Sequence, residues 1–162
     1  MELSLKKVSL TALTATAVAL VAAVPSPASS SIAVAGGAVP TSTTFTSVRS
    51  ADGNTLVEGF GTHAWTGDLA GTSTVNIHFV IHSDGQLTYQ GFGTFTGTTP
   101  CGTGTFDVVA SGSGPFPGPA SGKIVTVNDA KESVAIHMQL NTVLFLTPAG
   151  AVFTYSGDVR CG

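Results

Sequence analysis

Two histidines, His78 and His82, stand four residues apart beside Asp84 in the stretch NIHFVIHSDG. On a helix this spacing stacks two imidazoles one turn apart, where they can grip a single zinc ion. On a strand the same residues are separated by about 13 Å, at roughly 3.3 Å per step. That is too far for a metal that binds nitrogen at about 2 Å. The glutamate that follows the first histidine of a metalloprotease motif is missing, since Phe79 stands there, and Ser83-Asp84-Gly85 has the composition of a turn. The chemistry of this stretch is therefore decided by its secondary structure, which reads as strand, so no metal is expected.

The remaining polar groups of interest lie among apolar ones. Glu58 sits in Val57-Glu58-Gly59-Phe60; turned inward, burial would raise its pKa and make it a proton donor or acceptor. Tyr89 and Tyr155 each join a ring that can line a cavity to a hydroxyl that needs a partner. These three are the candidate catalytic residues. His63 and Trp65 share a face near the end of the second strand, which places them at a rim, with Trp65 suited to plug a barrel end. No nucleophile elbow, phosphate-cradling loop or metal-ligand cluster occurs. Gly59-Phe60-Gly61 and Gly91-Phe92-Gly93 fall inside strand-like runs, where they signify curvature.

The elements that must position these groups are strands. Turn signals recur at Asp52-Gly53-Asn54, Gly67-Asp68, Ser83-Asp84-Gly85, Thr99-Pro100-Cys101-Gly102, Asn128-Asp129 and Pro148-Ala149-Gly150. Between them, runs rich in Thr, Val, Phe and Ile predict eight strands: 42–49, 55–66, 72–82, 86–98, 103–112, 121–128, 132–147 and 151–159. A bend near Asn141 would suit the long seventh. The segment Ser113-Gly114-Pro115-Phe116-Pro117-Gly118-Pro119 cannot continue a ladder and reads as a stiff crossover loop.

Alternation splits these runs into two rows. Ile77, Phe79 and Ile81 oppose Asn76, His78, Val80 and His82; Val134, Ile136, Met138 and Leu140 oppose Ala135, His137, Gln139 and Asn141. Leu87, Tyr89 and Phe95, then Phe106, Val108 and Ala110, then Phe153 and Tyr155 extend the apolar row. Eight antiparallel strands with short turns and no covering helix must close on themselves or stack as two sheets. An all-β, eight-stranded antiparallel up-and-down barrel is expected, with a β-sandwich as the alternative. An eight-stranded lumen is either filled or holds one small ligand. The residues expected to line it for a ligand are Phe79, Ile81, Tyr89, Phe95, Met138, Phe153 and Tyr155.

Composition bounds the setting. Lys6 and Lys7, the apolar run Val8–Val24, Pro25 and Pro27, and the small-x-small pattern Ala33-Val34-Ala35 read as a cleavable leader over residues 1–35, with the barrel domain at 36–162. The run is short and threonine-diluted for a stable membrane span. Within 36–162, Arg49, Lys123, Lys131 and Arg160 stand against Asp52, Glu58, Asp68, Asp84, Asp107, Asp129, Glu132 and Asp158: four against eight, a net of −4. With no basic patch, nucleic acid is a poor partner. Cys101 and Cys161 form an even pair in an exported chain and are expected to make one disulfide. No cofactor is implied.

The segment WTGDLAGTSTVNIHFVIHSDGQLTYQGFGTFTGT, residues 65–98, resembles the central hairpins of small secreted bacterial barrels related in fold to allene oxide cyclase and dirigent proteins. The resemblance implies an eight-stranded barrel with an apolar cavity, often a homo-oligomer, whose enzymes guide cyclisation or coupling of apolar intermediates. It supplies no active-site motif that can be matched residue by residue. The leading expectation is an exported barrel that binds a small apolar molecule in its lumen. One alternative is a cofactor-independent cyclase or isomerase using Glu58, Tyr89 and Tyr155. The other is a filled barrel acting as a secreted interaction protein through its outer surface, where His78, His82 and His137 lie.

Overall fold

The computed structural model describes residues 30–127 and 136–162. Expectations that fall on 1–29 and 128–135, including the Asn128-Asp129 turn and the placement of Val134 and Ala135, lie outside the described residues. Eight strands follow in order: β1 (Ser31–Ala51), β2 (Asn54–Gly67), β3 (Ala70–Ile81), β4 (Gln86–Thr99), β5 (Gly102–Pro115), β6 (Ala120–Val127), β7 (Ile136–Thr147) and β8 (Gly150–Cys161). Each pairs antiparallel with its sequence neighbours, and β1 closes on β8, giving a closed up-and-down barrel. The sandwich alternative is excluded by that closure. β7 runs uninterrupted through Asn141.

β1 begins eleven residues before the expected first strand. Ser31–Ala38 pair with Arg160–Phe153 of β8, and Val34 is buried at 3% exposure. Residues 31–35, assigned from sequence to the leader, lie in β1 and pair with β8. Gly36, Gly37 and Pro40 looked like breakers. Pro40 is tolerated because it stands at a register shift between Pro40 and Ser42, where a ladder donor is not required.

Beyond Ala38, β1 pairs with β2 alone up to Ala51, while the top of β8 pairs with β7. The β1–β8 seam is thus zipped over one half of the barrel and parted over the other. The parted halves are linked by Thr43 Oγ1, which donates to the Ala149 carbonyl in the β7–β8 turn at 3.0 Å.

The inward row is apolar, as alternation requires. Trp65, Phe79, Leu87, Tyr89, Phe95, Phe106, Val108, Met138, Leu140, Phe153 and Tyr155 are all buried in one cluster. At the zipped end Trp65 is the hub, with ring centroids 5.3 Å from Phe95, 5.1 Å from Phe153 and 5.3 Å from Tyr155; Phe95 stacks on Phe106 at 5.0 Å. Leu69, from the β2–β3 turn, folds beneath them and is fully buried. Cys101 and Cys161 form the expected disulfide at this same end, tying the β4–β5 turn to the end of β8.

Three glycines have a specific use. Tyr89, Gly112, Gly122 and Thr142 are successive partners across β4 to β7, so the tyrosine lies flat over both glycines to reach the threonine. A Cβ on Gly122 would fall on the Tyr89 hydroxyl. Gly36 makes the same room for Tyr155.

Candidate functional site

The parted end opens into a cleft of about 340 Å³. Its walls come from Val57 on β2, Ile77, Phe79 and Ile81 on β3, Leu146 and Pro148 near the β7–β8 turn, and Phe45 on β1. Phe116 of the proline-rich loop completes the rim, held by its backbone N–H donating to the Gly85 carbonyl at 2.7 Å. A second, deeper hollow of about 50 Å³ lies inside the barrel. Ile77, Phe79 and Ala151 line both, so they form the passage between cleft and hollow.

The deep hollow is apolar except for a few groups, of which His63 is the most unusual. Its row on β2 is Val57, Gly59, Gly61, His63, Trp65, all facing in. His63 is only 5% exposed, its ring lies 5.7 Å from that of Phe153, and neither ring nitrogen has a hydrogen-bond partner among the described residues. Burial pulls its pKa below the ordinary 6.5. A contact with the Ala151 backbone opposes that shift, but among the described residues no atom meets either nitrogen with full hydrogen-bond geometry. His63 is thus a neutral imidazole at neutral pH, with one donor and one acceptor unsatisfied.

Ser73 is its direct partner across β2 and β3 and is also buried, at 2% exposure. It accepts the Trp65 Nε1–H at 2.9 Å. Tyr89 lines the same hollow, its hydroxyl paired with Thr142 Oγ1 at 3.1 Å. Burial pushes the Tyr89 pKa up, with the Thr142 hydrogen bond opposing.

The structure sorts the sequence candidates. Phe79, Ile81, Tyr89 and Phe153 line the cleft or the hollow. Phe95, Met138 and Tyr155 line neither: they are packed in the zipped half. The Tyr155 hydroxyl is consumed structurally, accepting the Leu69 N–H at 2.9 Å and donating to the Thr66 carbonyl at 3.0 Å. It latches the β2–β3 turn against the barrel, and burial raises its pKa, the Leu69 contact opposing and the Asp68 charge adding. Glu58 lines neither cavity. It alternates with the inward Val57 and Gly59, lies on the outer face, and pairs with Arg49 at 3.6 Å.

His78 and His137 occupy the outer row, as expected. His82 lies just past β3, beside Thr88 Oγ1 at 3.2 Å. Among the described residues no group of three or more His, Cys, Asp or Glu is placed to hold a metal. His63 was misplaced by sequence reasoning, which set it at a rim because it is near the end of its strand. The signal was its parity with Val57 and Trp65; what hid the answer is that Leu69 caps the barrel below, so the strand end is still core.

Fold and cavity together define a small, disulfide-closed, eight-stranded barrel that is packed at one end and hollow at the other. The chain belongs to the DUF3224 family, described as proteins of unknown function, with residues 38–137 matching. Among curated proteins none matches it. The family match leaves Ser31–Gly37, β7 from Met138 onward and β8 outside it, so the strand that closes the barrel lies beyond the matched region. Among the described residues no helix is long and apolar enough to cross a membrane.

Proposed function

We propose that this protein is exported and binds a small apolar molecule through the parted end of its barrel. The observation that carries the reading is the cleft of about 340 Å³, walled by Val57, Ile77, Phe79, Ile81 and Leu146. That volume is at the lower bound of ordinary small-molecule sites, about 300–1,000 Å³, and its lining is of the usual apolar kind. Export is supported by the charged and apolar N-terminal run and by the disulfide, which suits an oxidising compartment. A leader ending before Ser31 leaves β1 whole. The likeness of residues 65–98 to allene oxide cyclase and dirigent barrels supports the same picture of a ligand-holding lumen.

The test is saturable uptake of an environment-sensitive apolar dye by the purified mature protein, compared with Phe79→Arg, which puts a charge in the passage. Dye enhancement that saturates in the wild type and is lost in the variant supports the reading. A wild-type protein with intact far-UV circular dichroism and no saturable uptake overturns it. Mass spectrometry of the exported form checks the leader: an N-terminus beyond Val34 would contradict an intact β1.

A further inference from the structure

We propose that His63, with Ser73 beside it, is the polar anchor of the cavity, and that the ligand it takes is an apolar molecule bearing a single hydroxyl or carboxylic acid group, bound head-first. The inference rests on the apolar-ligand reading above and adds the chemistry of the head group. The argument begins with cost. An imidazole enclosed in apolar surroundings with neither nitrogen bonded is destabilising, because desolvation is not offset by a new hydrogen bond. A phenylalanine would fill the place beside Phe153 at no such cost. The ring therefore has a use that the empty barrel does not display.

Its surroundings narrow that use. Besides Tyr89 and Gln90 the rest of the deep hollow is apolar, with Trp65, Phe79, Val108, Ile124 and Phe153 among its lining, and no Lys or Arg lines either cavity. A permanently charged head group would enter uncompensated, whereas a neutral O–H group would not. His63 and Ser73 face each other across adjacent strands on the inner row, with Cβ atoms at the usual spacing of about 5 Å. The Ser73 oxygen already accepts from Trp65, and among the described residues nothing accepts the Ser73 proton. One ligand oxygen between the two can then accept from Ser73 and donate its proton to the free imidazole nitrogen. A ligand lacking the O–H can accept hydrogen bonds here but leaves the acceptor nitrogen of the imidazole unpaired. The chain of the molecule would run out past Ile77, Phe79 and Ala151 into the cleft.

Trp65 is the only tryptophan in the chain and lines the same hollow, so its fluorescence reports occupancy. The probes are n-decanol, decanoic acid below its pKa, and n-decyl methyl ether, which keeps the chain and removes the O–H. The wild type is expected to bind n-decanol about tenfold more tightly than the ether, the scale of one hydrogen bond to a group otherwise left unpaired. His63→Phe is expected to bind both with similar affinity, still saturably. Ring-nitrogen NMR of the wild type is expected to shift for His63 on adding n-decanol, and to stay fixed for His78, His82 and His137. Unchanged preference for the alcohol in His63→Phe, or an unmoved His63 resonance at saturation, would overturn the anchor while leaving apolar binding in place. Such a result would also be given by a ring satisfied by trapped water. Absence of saturable binding for all three probes in the folded wild type would instead remove the apolar-ligand reading itself. Decanoic acid distinguishes the two head groups: binding stronger than that of the alcohol selects the acid, weaker binding selects the hydroxyl, and binding no better than that of the ether restricts the anchor to alcohols.

Discussion

The two ends of this barrel are built from the same strands and behave as different materials. At one end the β1–β8 seam is zipped, Trp65 touches three aromatic rings, Leu69 seals the floor, and a disulfide ties the strand ends. At the other end β1 leaves β8, Phe45 is half exposed, and Phe79 and Ile81 border empty space. A closed barrel of this size has about enough interior to be filled by side chains. This one concentrates its large residues in one half, which leaves room for a ligand in the other. Packing and open space are thereby given to separate halves, and His63 sits at the boundary.

The sharpest way to break that comparison is a pair of truncations. Phe95→Ala, in the packed half, is expected to cost about 3–5 kcal/mol, because its cavity has no route to collapse. Ile81→Ala, at the cleft, should cost much less, about 1 kcal/mol, since its side chain is only partly buried. Urea unfolding of both variants measures the gap, and equal losses would abolish the division. Reduction of Cys101–Cys161 comes next. Its partners are 60 residues apart, and the chain-entropy model puts the loss near 4 kcal/mol. Thermal melting with and without reductant reads it, with dye uptake at low temperature expected to survive.

His63→Phe should act in the opposite direction, stabilising by about 1–3 kcal/mol, since it removes an unsatisfied buried group. The pH dependence follows from the same residue. Its folded pKa lies below the ordinary 6.5, so the unfolded chain takes up the proton first on acidification. The stability tied to its neutral form is complete above pH 6.5 and is lost as pH falls through the lowered value. The difference between wild type and His63→Phe should therefore widen in acid and be flat above neutrality, which a series of melts across pH would show. The smallest effect is expected on the outside: Glu58→Gln removes an exposed ion pair with Arg49 and should change stability by less than about 1 kcal/mol, with dye binding unaltered.

Alternation in residues 72–82, 86–98 and 151–159 already placed Phe79, Tyr89 and Phe153 inside and His78 outside, because a period of two is a local property of an extended chain. The eight strands, their order and the cysteine pair were readable for the same reason: turn residues and β-formers act within a few positions, and short turns make sequence neighbours spatial ones. Glu58 shows the limit of that logic. Its parity was open until Val57 was fixed as an inward residue by the packing of the whole β2 row.

What the amino-acid sequence determined alone was an all-β chain with one greasy and one polar row, since side-chain alternation and turn chemistry need no partner. Which part of that greasy row is solid and which is hollow depended on contacts between residues far apart in the chain. Tyr155 is occupied by the Leu69 turn 86 positions away, and β1 stops pairing with β8 after Ala38. His63 became a candidate anchor only once the floor closed beneath it, because whether a buried nitrogen lacks a partner is a property of every element around it.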